Sequence, residues 1–159
     1  MCDEDKTRQQ IKQKSLDLLA RSELTRIMLA RKLENRDYSA TLVAQVIDEL
    51  AEHGWQSDQR YLEHYIAMRS GKGFGPLRIQ VELEQRGIDT VSASETLQTV
   101  QWSDVIARAY RRKYATSLIT GWPEQAKRMR FLQYRGFTAE QINDFMKTLN
   151  QASDDESGY

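Results

Sequence analysis

The feature that most constrains this chain is an internal repeat. Leu33, Arg36, Tyr38, Val43, Val46, Ile47 and Leu50 recur at an offset of 50 as Leu83, Arg86, Ile88, Ala93, Thr96, Leu97 and Val100. They recur again, 49 residues further on, as Leu132, Arg135, Phe137, Ile142, Phe145, Met146 and Leu149. The unit is Leu-x-x-Arg-x-apolar followed by four positions spaced i, i+3, i+4 and i+7, which is one face of an α-helix. Thr96 is the only polar residue among those face positions. A near-constant offset over seven positions points to duplication, and the fold must be built from stacked copies of one element group.

Each copy predicts three helices. They run over roughly 8–22, 26–35 and 40–53, then 58–70, 76–86 and 90–100, then 102–115, 123–135 and 139–150. With only two prolines and eight glycines in 159 residues, little in the chain interrupts helix. The breakers that exist fall at boundaries. Ser57 or Asp58 can cap the fourth helix, and Gly75-Pro76 reads as an N-cap followed by proline at the first helical position. Pro123 plays that second part in the third copy, and Thr138 with Gln141 has capping-box spacing. Gly54, Gly87 and Gly136 stand where left-handed C-caps belong, with Asp37 at the matching place in the first copy.

The expected architecture is therefore all-α: three tandem three-helix, helix-turn-helix-like repeats in an elongated, curved array. The segments are a flexible N-terminus (1–8), repeats over 9–55, 56–100 and 101–150, and a disordered acidic tail (151–159). One copy alone has too little apolar surface to fold, so neighbours must stack. In the second copy, Leu83, Leu97 and Val100 are expected to be buried together.

Several classes of function find no support in the residues. His53 and His64 are the only histidines and Cys2 the only cysteine, so no metal-ligand spacing exists. No serine sits in a nucleophile elbow. The loop Gly71-Lys-Gly-Phe-Gly-Pro76 lacks the Gly-Lys-Ser/Thr ending of a phosphate-binding loop, and no strand precedes it. It reads first as C-cap, turn and N-cap, and second as an anion contact through Lys72. No catalysis and no cofactor are expected. No run approaches a membrane span, and the polar start, MCDEDKTRQQ, is unlike a secretory signal. A lone cysteine fits the cytoplasm.

Charge is more informative. Lys plus Arg equals Asp plus Glu at 23 each, so the chain is neutral. Between Val105 and Arg135, however, eight basic residues face the single acid Glu124, a local +7 balanced by −7 elsewhere. Such asymmetry suggests an acidic partner such as nucleic acid; the plainer reading is a solvated helix face. Arg108, Arg111, Arg112, Lys127, Arg128 and Arg130 are the candidates for a surface facing DNA, with Lys72 and Arg78 next. Arg36, Arg86 and Arg135 recur with the repeat and read as structural, satisfying carbonyls at helix ends. Trp55, Trp102, Trp122, Tyr110, Tyr114, Phe131 and Tyr134 read as packing between repeats before they read as stacking platforms.

Three strings carry a family resemblance. Ser70-Gly-Lys-Gly-Phe-Gly-Pro-Leu-Arg-Ile-Gln-Val-Glu-Leu-Glu-Gln-Arg-Gly-Ile88 resembles the central signature of the bacterial RecX family. His53-Gly-Trp-Gln-Ser-Asp-Gln-Arg-Tyr61 resembles the segment before it, and Arg130-Phe-Leu-Gln-Tyr-Arg-Gly-Phe137 the C-terminal signature. The likeness spans roughly residues 10–150. It departs at Met28, where the family often has an acid that completes a capping box, and at Arg128, where the other copies have Leu29 and Ile79.

The resemblance implies a regulator of homologous recombination and of the SOS response. Such a protein binds RecA and the RecA–single-stranded DNA filament and inhibits recombinase and coprotease activity. It implies weak direct DNA binding, no membrane, and a monomer. A transcriptional regulator using one helix-turn-helix is the alternative, and a pure protein adaptor is a third.

Overall fold

The structure is a computed structural model that describes residues 2–156. Among these it is all-helical, with nine α-helices and no strand. They are α1 (Cys2–Arg21), α2 (Arg26–Glu34), α3 (Ala40–Glu52), α4 (Asp58–Gly71), α5 (Pro76–Gln85), α6 (Thr90–Leu97), α7 (Trp102–Tyr114), α8 (Trp122–Arg135) and α9 (Ala139–Glu156).

Three boundaries differ from the sequence expectation. Helix α1 begins at Cys2 instead of near residue 8. Asp3, Glu4 and Asp5 fill its first turn, where negative charge complements the helix dipole. Helix α9 runs on to Glu156, so 151–156 is helical; 157–159 lies outside the described residues. No glycine or proline interrupts α9, and Leu149 and Ala152 continue its α7-facing side. Helix α6 is shorter than expected, because the Trp102 indole donates to the Leu97 carbonyl at 2.8 Å and the Thr99 hydroxyl to the Thr96 carbonyl at 2.7 Å.

The described residues form two compact units. The first gathers the residues up to His64 with Leu83–Ala93, the second Tyr65–Glu82 with the residues from Ser94 onward. In the first unit, α1, α2 and α3 enclose Ile11, Leu29, Leu33, Val43, Val46, Ile47 and Leu50. In the second, α7, α8 and α9 enclose Val105, Ile106, Ala109, Tyr110, Leu132, Phe137, Ile142 and Phe145. The repeated apolar positions are thus the core, and each fully buried leucine contributes about 1.5–3 kcal/mol of transfer free energy. In the middle triplet Leu83 and Leu97 are buried, but Val100 is half-buried and packs against the α7–α9 core.

Inside each unit one helix N-terminus rests on one helix C-terminus, in the same way. In the first unit Thr25 caps α2: its hydroxyl oxygen accepts from the Met28 amide at 3.1 Å while its proton goes to the Arg86 carbonyl at the end of α5. The missing acid at position 28 therefore leaves the threonine half of the cap working. Gly87 allows the approach, because a Cβ there would lie 2.5 Å from Ile27 Cδ1. In the second unit the Gly75 amide donates to the Arg135 carbonyl at the end of α8, and the Leu77 amide to the Gly136 carbonyl at 2.9 Å. A Cβ on Gly136 would meet Arg78 Cβ at 2.4 Å. Asp37, Gly87 and Gly136 all have positive φ, at 66°, 85° and 98°. The 71–76 loop is therefore a C-cap, turn and N-cap, and its leading amides bind protein carbonyls instead of an anion.

Candidate nucleic-acid and filament interface

All the basic candidates lie in the second unit, and the helical period decides where each one points. On α7, Val105, Ile106, Ala109 and Tyr110 face the core. Residues on either flank of that stripe therefore diverge. Arg111 falls on one flank and lines a groove against α9 with Ile106, Phe145 and Asp144. Arg112 falls on the other, Lys113 continues the line of Ala109 beyond the buried stripe, and both line a hollow of about 220 Å³ with Lys72, Ala109, Phe131 and Arg135. Arg108, one turn before Arg112, is exposed. On α8, Lys127 is exposed, at the i−4 position from Phe131. Arg130 instead borders a separate recess of about 490 Å³ with Leu77, Arg78 and the 81% exposed Tyr134. The basic stretch is thus divided among three faces rather than forming one stripe.

Arg128 corrects the sequence reading. It is 3% exposed, so it cannot reach an outside phosphate. Its Nη1 donates to the Tyr110 hydroxyl at 2.6 Å and the Ser117 carbonyl at 2.9 Å. Nη2 donates to Ser117 Oγ and the Leu118 carbonyl, and Nε to Glu124 at 3.0 Å. The guanidinium lies 4.4 Å from the Tyr114 ring centre. Burial disfavours its charge, but the bonds it donates to Tyr110 and Glu124 outweigh that and hold its pKa above the ordinary arginine value. The position corresponds to Leu29 and Ile79, both 0% exposed. The repeat register alone signalled a core site, and the guanidinium there fastens the 115–121 connection to α7 and α8.

Arg78 is partly engaged. Glu82 accepts from Arg78 at 3.2 Å, from Arg69 at 2.7 and 2.9 Å, and from Tyr65 at 2.6 Å. Burial raises the Glu82 pKa, but the donated bonds from Arg69, Tyr65 and Arg78 prevail and hold the carboxyl below its ordinary value. The Phe74 ring is flanked by three guanidiniums, Arg69 at 3.9 Å, Arg78 at 4.4 Å and Arg135 at 4.7 Å.

Two residues at the hollow escaped the sequence reading. Lys113 lies 4.3 Å from the Phe131 ring centre, and Arg135 5.3 Å from it. Lys113 was visible as the end of the Arg-Arg-Lys run. Arg135 was assigned to carbonyl capping because it recurs, yet its side chain lies over aromatic rings. Tyr110, Tyr114, Phe131 and Trp102 do pack, but within the α7–α9 core of the third copy instead of between repeats. The aromatic expectation fails for Trp122 and Tyr134, which are 70% and 81% exposed. Among the described residues there is no cluster of metal-binding side chains, and no helix is long and apolar enough to cross a membrane.

The chain is similar to known proteins along most of its length. Residues 57–97 match the family model described as "RecX, second three-helix domain", and residues 101–146 the one described as "RecX, third three-helix domain". The "Regulatory protein RecX" of Pseudomonas putida (strain KT2440) is 41% identical over 134 residues, 83% of this chain and 86% of that protein. The one from Ectopseudomonas mendocina (strain ymp) is 37% identical over 143 residues, 89% of this chain and 95% of that protein. The crystal structure of RecX from Lactobacillus salivarius shares the fold, with a TM-score of 0.80 at 19% identity over 95% of this chain and 99% of that one. Motif, repeat and likeness agree: the chain belongs to the RecX family of regulatory proteins.

Proposed function

We propose that this protein regulates homologous recombination and the SOS response by binding RecA and the RecA–single-stranded DNA filament, inhibiting recombinase and coprotease activity. Membership of a family of regulatory RecX proteins is the observation that carries the reading. The exposed cations of the second unit support it: Lys72, Arg108, Arg111, Arg112, Lys127 and Arg130 are solvent-facing, and Arg78 is half-exposed beside them. These residues contact DNA or the filament, and Arg128 braces them from inside. Binding to bare DNA is weak, and the filament supplies the remaining contacts. The protein acts as a cytoplasmic monomer built of three modules, 9–55, 56–100 and 101–150, and it neither binds nor turns over ATP.

The test compares binding to bare single-stranded DNA and to RecA-coated DNA, alongside RecA strand exchange and RecA-stimulated repressor cleavage. Preferential binding to coated DNA with loss of both activities is expected. Tight binding to one duplex sequence, indifferent to RecA, would instead favour a helix-turn-helix transcriptional regulator. Binding to RecA that is independent of DNA and of salt would favour a protein adaptor.

A further inference from the structure

We propose that the hollow formed by Lys72, Arg112, Lys113, Phe131 and Arg135 is a seat for one phosphodiester of single-stranded nucleic acid, with its neighbouring base against Phe131. The proposal rests on the functional reading above and names the anchoring point within it. The hollow's lining contains four cations from three separate chain segments and no carboxylate. None of the four is ion-paired among the described residues.

Helix ends alone do not account for this charge. Lys72 follows α4, Arg112 and Lys113 close α7, and Arg135 closes α8. Each helix C-terminus carries roughly −0.5 of an elementary charge. Three such ends offset about 1.5 of the four positive charges, which leaves about 2.5 unanswered. The Arg135 carbonyl already binds the Gly75 amide, so the demand there is smaller still.

The cations are also held in place. Arg135 is pinned over Phe74 and Phe131, and Lys113 over Phe131. Less side-chain freedom is then lost on binding. A half-buried ring in the wall favours nucleic acid over an acidic peptide, because a base presents a π-face beside its phosphate and a carboxylate side chain does not.

The experiment follows anisotropy of a fluorescein-labelled 20-nucleotide oligothymidylate between 50 and 200 mM NaCl, without RecA. The variants are R112Q/K113Q, K72Q, and the control pair R31Q/K32Q on exposed positions of α2. Arg112, Lys113 and Lys72 share one phosphate, so either hollow variant should flatten the slope of log K against log salt by up to about 0.7. The control should leave it unchanged. Equal losses in the control pair, or an unchanged slope in both hollow variants, overturn the proposal. So does a pair of hollow variants that bind the oligonucleotide like the parent yet lose RecA-coated DNA, since the hollow then takes an acidic protein segment while the regulatory reading stands. Salt-sensitive oligonucleotide binding lost in the hollow variants, in a protein without effect on RecA, would sink the regulatory reading and keep the phosphodiester seat.

Discussion

The amide of Gly75 donates to the carbonyl of Arg135 across 2.7 Å, joining the start of α5 to the end of α8. The partial charges at the two helix ends are opposite, so each satisfies groups the other leaves bare. Contact this close excludes a side chain: a Cβ on Gly75 would lie 2.4 Å from Gly136 C and Phe137 N. Gly75→Ala should therefore cost about 1–3 kcal/mol by overpacking, and more if the joint opens. Gly54 provides the comparison. It has a φ of 76° and nothing within 4 Å, so Gly54→Ala should cost only about 1–2 kcal/mol of backbone strain. Urea denaturation of both variants separates crowding from conformation.

Arg128 should behave as a core residue. Arg128→Ala removes five donated bonds and leaves the Tyr110 hydroxyl and the Glu124 carboxylate without them. Breaking a buried ionic cluster on one side typically costs about 3–5 kcal/mol. Arg128→Leu, which restores the residue type of Leu29 and Ile79, should cost less. Neither should alter the salt slope of oligonucleotide binding in the folded fraction.

Glu82 links stability to pH. Its carboxyl titrates lower in the folded chain than its ordinary value of 4.5, held there by Arg69, Tyr65 and Arg78 against burial. Its contribution is fully present above 4.5 and is lost as pH falls through the lower, folded value. The stability difference between the parent and Glu82→Gln should be widest near about pH 6 and close progressively under acid, as followed by thermal unfolding.

Reversal of Arg108, Arg111 and Arg112 to Glu tests the exposed face of α7. All three side chains are exposed, so helical content by circular dichroism should stay unchanged. Loss of up to three phosphate contacts would flatten the salt slope by about 2 and weaken inhibition of strand exchange. Inhibition equal to the parent's would place the contacts elsewhere.

Leu132 is 0% exposed at the repeat position shared with Leu33 and Leu83. Leu132→Ala should cost about 2–5 kcal/mol, with the exact loss set by how far the α7–α9 core collapses into the gap.

Much of this fold was legible because one signal repeats. The i, i+3, i+4, i+7 face located α3, α6 and α9, and Gly87 and Gly136 marked the ends of α5 and α8. What escaped depended on contacts distant in sequence. Nothing near Val100 says that it packs on the α7–α9 core, and a local count of cations cannot tell buried Arg128 from exposed Arg112. The clue to Arg128 was its alignment with Leu29 and Ile79, which outranks its charge. Arg135 shows the converse: its repeat register suggested a common structural role, while the rings of Phe74 and Phe131, present only around this copy, give it a different one.

The left-handed residue at the end of each second helix also sets how near another helix can come. Gly87 and Gly136 leave room for the helix that rests on them: a Cβ would lie 2.5 Å from Ile27 Cδ1 in the first case and 2.4 Å from Arg78 Cβ in the second. Asp37, at the same register with a φ of 66°, carries a side chain. Both joints are thus held by space left empty, so the smallest added methyl group at 87 or 136 acts as a wedge between two helices, and the tolerance of these two positions to substitution reads out whether the joints are closed in solution.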